Sequence, residues 1–380
     1  MSQSTPTAYI SLPAIVHNYR ACLRRAKGRR VICTVKADAY GHGALATARI
    51  LLSSGARTLA VASGFEALSL SPLFKTALCK ECFTYFKAPF PSLLILGTAS
   101  SDELLPLTAL RATLSVHSFS YAATVSKALG RLKDKGLLRA DYLQPVAIKA
   151  ETGMHRLGFD RFKEALAAVR LPHLLPVSVY SHLGEGDSAS GRTLLQTHAF
   201  RDWQSAFLEA GYPLSSHLAA SAALFRFGAL AGDAVRVGIA LYGTLPHGAH
   251  PELLPAMRLC ARVLSVKRVP RGAGAGYGTL RLNKATRIAI LGIGYADGLP
   301  LSATGARIWI KSTPCPIVGE VCMDRTLVDI GTLPLREGEE VTLFGSDESP
   351  PSRFAAECGV SVYRLLSVRS SRTQRVFVSS

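Results

Sequence analysis

Lys36 closes the apolar run Val31–Val35 and opens Ala-Asp-Ala-Tyr-Gly-His-Gly, residues 37–43. A lysine at the inside end of an apolar strand is costly to bury as an ammonium ion. A Schiff base with an aldehyde removes that charge and makes the position tenable. A lone lysine would equally suit a surface ion pair reached by snorkelling. The next turn favours the chemical reading, because Tyr40, Gly41 and Gly43 put a hydroxyl and close-approach backbone beside the amine.

Further polar residues punctuate similar runs. Lys149 ends Pro145–Lys149 and Arg156 follows it. His182 follows Pro176–Ser181, Ser221 follows Ser215–Leu218, Arg236 lies inside Ala234–Val237, and Gly238 and Ile239 come next. A phosphorylated ligand needs donors. The Ser221 hydroxyl and the backbone N–H groups of Gly238 and Ile239 are of the right kind. An arginine keeps its proton, with an ordinary pKa above about 12. Facing the nitrogen of a pyridine-ring cofactor, Arg236 would donate a hydrogen bond but hardly protonate it. The ring is then a weaker electron sink, which favours simple proton transfer at Cα over transamination.

The elements that must position these residues alternate. Strand candidates are Val31–Val35, Thr58–Ala62, Leu93–Leu96, Ala112–Val116, Pro145–Lys149, Pro176–Ser181, Ser215–Leu218 and Ala234–Val237. Helical patterns between them are clearest at Gly43–Leu52, Phe119–Leu129, Arg161–Val169 and Thr193–Ala210. Alternation of this kind implies a parallel sheet, and its length and count predict a (β/α)8 barrel. Active sites of such barrels lie at the C-terminal ends of the strands, where the residues above collect. After Gly248 short β-rich runs replace helices, at Met257–Val269, Arg287–Leu291, Ala306–Ile310, Pro316–Val318, Thr326–Ile330 and Glu340–Phe344. They predict a mostly antiparallel β domain. The expected division is a barrel over residues 10–248, with an insertion about 75–91, and a β domain over 249–380 packed with residues 1–9.

Composition narrows the function. The 380 residues are 48% hydrophobic and include no long apolar run or apolar leader, so a cytoplasmic protein is expected. The formal charge of +18 invites a nucleic-acid reading. The basic residues are dispersed, however, and carry no aromatic stacking platform, so neither nucleic acid nor membrane is expected as a partner. Eight cysteines without a secretion signal read as free thiols. Cys79 and Cys82 form a C-x-x-C with no second pair at similar spacing, so no metal is expected.

The blocks VKADAYGHG, KAETGMHRLGF, YSHLGEGD, HLAASAA, VRVGIALYG, GYGTL, GIGYADG and VGEVCMD occur in this order along nearly the whole chain. Together they resemble the alanine racemase family, whose members are pyridoxal 5'-phosphate enzymes that interconvert L- and D-alanine and so supply peptidoglycan synthesis. The resemblance implies that Lys36 carries the cofactor and acts as one base. It implies that Tyr277, between Gly276 and Gly278, acts as the opposing base from the partner subunit of a homodimer. Tyr40, His182, Ser221, Arg236, Gly238 and Ile239 would then contact the cofactor or support the site. Arg156 and the Met323 backbone would hold the substrate carboxylate. Lys149 matches a lysine carbamylated in many relatives, Tyr295 and Asp324 match the entrance and floor, and Asp187 matches the access channel.

The chain departs from the pattern in places. Ala220 replaces an asparagine before Ser221, Leu301 an arginine at the entrance, and Ser371 a tyrosine near the phosphate. A racemase of serine or another small amino acid is the alternative on the same scaffold. A decarboxylase of similar architecture usually presents an acidic partner to the ring, against Arg236. A cofactor-carrier protein would resemble the barrel alone.

Overall fold

The computed structural model describes residues 5–77, 92–278, 280–368 and 370–379. The expected insertion falls largely outside these, as do Cys79 and Cys82. The chain divides into two compact units, Tyr19–Ala39 with Ala44–Ala240, and Met1–Asn18 with Tyr40–Gly43 and Leu241–Ser380.

The chain opens with β1 (Thr7–Ser11), a strand of the second unit. The first unit is the barrel. Its strands are β2 (Arg30–Thr34), β3 (Thr58–Val61), β4 (Ser92–Ile95), β5 (Ala112–Val116), β6 (Gln144–Lys149), β7 (Leu174–Tyr180), β8 (Ser215–Ala220) and β9 (Ala234–Val237). They close in sequence order, each parallel to its neighbours, with β9 returning to β2 through Arg30↔Ala234 and Ile32↔Arg236. The strands agree with the expected runs to within a residue or two. All four residues of β9 are buried, as befits a parallel strand covered on both faces. Ile32, Ala60, Leu94, Ala147, Tyr180 and Ala234 form a buried cluster from six strands, so side chains fill the interior.

The second unit holds one mostly antiparallel sheet. Its strands are β1, β10 (Met257–Val269), β11 (Thr286–Leu291), β12 (Arg307–Ile310), β13 (Thr313–Val318), β14 (Thr326–Asp329), β15 (Glu340–Phe344) and β16 (Gln374–Val378). The order is β12-β13-β14-β11-β10-β1-β16, with β15 also on β10. One pair is parallel: β1 and β16 run together from Thr7↔Gln374 to Ser11↔Val378. No helix among the described residues is long and apolar enough to cross a membrane.

Candidate functional site

The lysine stands where a regular ladder breaks. Strand β2 ends at Thr34, and Val35 N–H makes the last rung to Ala60 O at 2.8 Å. Ala37, Asp38, Ala39 and Tyr40 then take φ of 51, 51, 56 and 53°. Left-handed backbone costs a non-glycine residue ~1–2 kcal/mol, so four in succession need outside support. It comes from Ala39 N–H to Val35 O (2.9 Å), Ala44 N–H to Asp38 Oδ1 (2.6 Å) and Ala37 N–H to Glu66 Oε1 (2.8 Å). In the second unit Arg375 Nε donates to Gly41 O at 2.9 Å, and the Tyr40 ring lies 4.9 Å from that of Tyr242.

Around Lys36 the barrel unit gathers cations. Burial lowers the Lys36 pKa, and Arg156 and Arg236 push it the same way, while Glu66 opposes them. Lys149, at the end of β6, is buried over the Tyr180 ring at 5.9 Å, and burial with the charges of Arg156 and Arg236 brings it down to about 8. Arg236 is held rigidly. Its Nη1 meets His217 Nδ1 at 2.6 Å and His217 O at 2.9 Å; its Nη2 meets Ser181 O at 2.6 Å, His182 Nδ1 at 3.1 Å and Leu218 O at 3.1 Å. Burial lowers it to about 10, below the ordinary value assumed from sequence, and it still carries its charge at neutral pH.

The same contacts define the histidines. Burial, then Arg236 and Arg156, hold His182 down at about 3, and burial lowers His217 as well, so both rings are neutral. Because Arg236 only donates, Nδ1 of each ring accepts and Nε2 carries the proton. His217 opens the sequence block HLAASAA. It sits in β8 stacked on Tyr180, 4.8 Å between centroids.

The remaining barrel residues fall into place by backbone contacts. Ser221 is buried, and its Oγ accepts Gly238 N–H at 2.9 Å and Ala240 N–H at 3.3 Å. The Gly238 amide therefore acts here through Ser221, whose own proton remains to be donated. Ile239 is buried beside them. Arg156 follows a turn built on Glu151. Gly153 and Met154 N–H both donate to its Oε1 at 2.6 Å, and Arg156 N–H lies 3.4 Å from Oε2. Burial raises the Glu151 carboxyl, but the backbone donors outweigh it and leave its pKa low. Asp187 lies half-buried in the connection after β7.

Tyr277, Tyr295, Met323 and Asp324 belong to the second unit. Tyr277 is 68% exposed, between Gly276 at φ 69° and Gly278 at φ 86°. Two further glycines join the neighbouring loops. A Cβ on Gly319 would collide with Ala275 O, and one on Gly294 with the carbonyls of Cys322 and Met323. Tyr295 N–H donates to Cys322 O at 3.0 Å and Ala296 N–H to Met323 O at 3.1 Å. Arg372 pairs with Asp324 at 2.7 Å and Asp297 at 2.9 Å. Leu301 is 64% exposed.

Comparisons with known proteins show the family and agree with this fold. The family model "Alanine racemase, N-terminal domain" matches residues 10–246, and "Alanine racemase, C-terminal domain" matches 256–377. An alanine racemase of Desulforamulus reducens is 34% identical, with 98% of each chain covered. Among solved structures, the biosynthetic alanine racemase of Pseudomonas aeruginosa has a TM-score of 0.85 at 30% identity, covering 98% of this chain and 99% of that one. An alanine racemase of Bartonella henselae with covalently bound pyridoxal phosphate has a TM-score of 0.82 at 27% identity, covering 98% and 99%. Both domains match, which removes the carrier reading, and relatives of this kind favour alanine over serine.

Proposed function

The chain belongs to the alanine racemase family and is an amino-acid racemase acting on alanine; from that premise we propose that Lys36 and Tyr277 are its two bases, with pyridoxal 5'-phosphate as cofactor. The observation that carries this reading is the cation cluster of Lys36, Lys149, Arg156 and Arg236. Glu66 and Glu151 oppose it while also accepting backbone N–H groups, and two acids against four cations leave it net positive. Such a donor set fits a phosphorylated aldehyde and an amino-acid carboxylate. When bound, the cofactor would supply an aldehyde able to bond an amine and an electron-poor ring that makes the substrate Cα proton more acidic.

The protein's own residues supply the rest. The lowered Lys36 pKa raises the share of neutral amine that can bond an aldehyde or take a proton. The Ser221 hydroxyl donates to phosphate. The Arg236 guanidinium, fixed by His217, His182 and three carbonyls, donates to the ring nitrogen without yielding its proton. Arg156 and the Met323 N–H receive the substrate carboxylate. To act as a base, Tyr277 needs a hydrogen-bond donor to its phenolate. The Nε2–H of His182 serves, with Arg236 behind it. One base on each face of Cα removes a proton and returns one to the other side.

Exposure of Tyr277 fits its delivery to a partner's site in a homodimer, with the barrel (10–248) holding the cofactor and the β domain (249–380) supplying the tyrosine. Tyr40 contacts the cofactor, Tyr295, Asp324 and Asp187 line the approach, and the protein works in the cytoplasm. The test is Lys36→Ala, which should abolish both racemisation and the visible absorbance of the lysine-bound cofactor. Persistence of that absorbance in the variant refutes the assignment.

A further inference from the structure

The rung that ought to follow Val35 is missing, and one side chain takes its place. In a parallel ladder Ala62 N–H would donate to Val35 O, and Ala37 N–H would donate to Ala62 O. Neither acceptor is available. Val35 O accepts Ala39 N–H at 2.9 Å within the left-handed turn, and Ala62 O accepts Gly97 N–H at 3.0 Å from the β4 side. Both displaced donors go to one carboxylate: Ala37 N–H to Glu66 Oε1 at 2.8 Å and Ala62 N–H to Glu66 Oε2 at 2.7 Å. Glu66 is itself placed by a short helix, Gly64–Ser69, whose cap Ser63 accepts its N–H at 3.3 Å. We infer that Glu66 is a positioning residue for Lys36: its carboxylate replaces the lost rung and fixes the backbone from which the lysine projects.

The inference rests on Lys36 being the cofactor lysine, since only then does its placement matter to the reaction. A carboxylate suits the task better than an amide. It accepts at both oxygens, whereas a glutamine would set its NH2 against one of the two N–H donors. It also supplies the negative charge nearest a lysine that otherwise faces Arg156, Arg236 and Lys149. Removing it loosens the turn and leaves the amine more often neutral.

The experiment uses the full-length protein stripped of cofactor, with Lys36 acylation followed by mass spectrometry across pH and pyridoxal phosphate affinity by titration. Glu66→Gln should lower the labelling midpoint by about half a pH unit, speeding labelling near neutral pH about threefold. It should weaken the cofactor about tenfold. Glu66→Asp keeps the charge yet is too short to span both amides, so it should restore the midpoint but not the affinity. A midpoint and an affinity within about twofold of wild type in both variants overturn the inference. Wild-type protein that forms no covalent bond to the cofactor instead overturns the assignment of Lys36, while the labelling arm still tests Glu66.

Discussion

Lys149 should carry a carbamate, and the structure gives the reason. Carbon dioxide reacts with the neutral amine and releases a proton, leaving a carboxylate on the side chain. Burial, then Arg156 and Arg236, bring the Lys149 pKa down to about 8. At pH 7 roughly a tenth of such an amine is neutral, against ~0.04% for an ordinary lysine, a gain of about 200-fold in the reactive form. The product is also favoured, because it turns one of four clustered cations into an anion. The sign with pH follows. Lysine with a lowered pKa disfavours the folded state while it is protonated, so that cost is full below about pH 8 and disappears as pH rises towards 10. The carbamate, which needs the neutral amine, should be lost progressively as acid protonates that amine and regained on return. Protein equilibrated with 13C-bicarbonate should show a carbamate resonance that Lys149→Ala lacks. That variant should lose ~1.5–3 kcal/mol of charge-assisted orientation at Arg156, roughly tenfold or more in kcat/KM. No resonance, together with an identical pH profile in wild type and Lys149→Ala, would refute the reasoning.

Other consequences follow from the same geometry. Tyr277→Phe should slow racemisation equally in both directions, since the equilibrium is fixed, by ~10²–10⁴. It should exchange the Cα proton of D-alanine with solvent far faster than that of L-alanine; equal exchange from both enantiomers would contradict one base per face. His217→Leu should cost about 1–3 kcal/mol in denaturant unfolding by leaving Arg236 short of an acceptor. An unchanged midpoint would mean that the three carbonyls and His182 suffice to hold the guanidinium. If a partner supplies Tyr277, specific activity should fall on dilution below the dimer dissociation constant, and full activity from a proven monomer would exclude it.

The barrel was legible because its strands are short apolar runs buried on both faces, as Ala234–Val237 shows. Strand β16 was not, because its residues are exposed or half-buried and Gln374–Val378 lacks a clean alternation. The turn after Lys36 was beyond local reasoning altogether. Ala-Asp-Ala-Tyr has no glycine to announce a left-handed backbone, and propensity favours a right-handed helix. Tertiary bonds decide it, among them that of Glu66, a residue about 30 positions away whose spacing to Lys36 carries no periodic signal. Gly294 and Gly319 sat in recognisable blocks, but only the approach of Cys322, Met323 and Ala275 shows why no side chain fits there.

What the sequence offered as separate polar residues proves to be one electrostatic arrangement. A buried cation is ordinarily matched by an acid. Here the two acids nearest the cluster spend their oxygens on backbone amides, Glu66 beside Lys36 and Glu151 under Arg156. Each carboxylate fixes geometry and keeps its charge, but two acids against four cations leave a positive field for phosphate and substrate carboxylate. Arg236 follows the same rule, anchored by carbonyls and neutral imidazoles. Replacing any of these neutral anchors by an acid in ion-pairing reach would make the apo protein more stable and the site a poorer receptor for anions, which is the trade-off that the choice of backbone and histidine partners avoids.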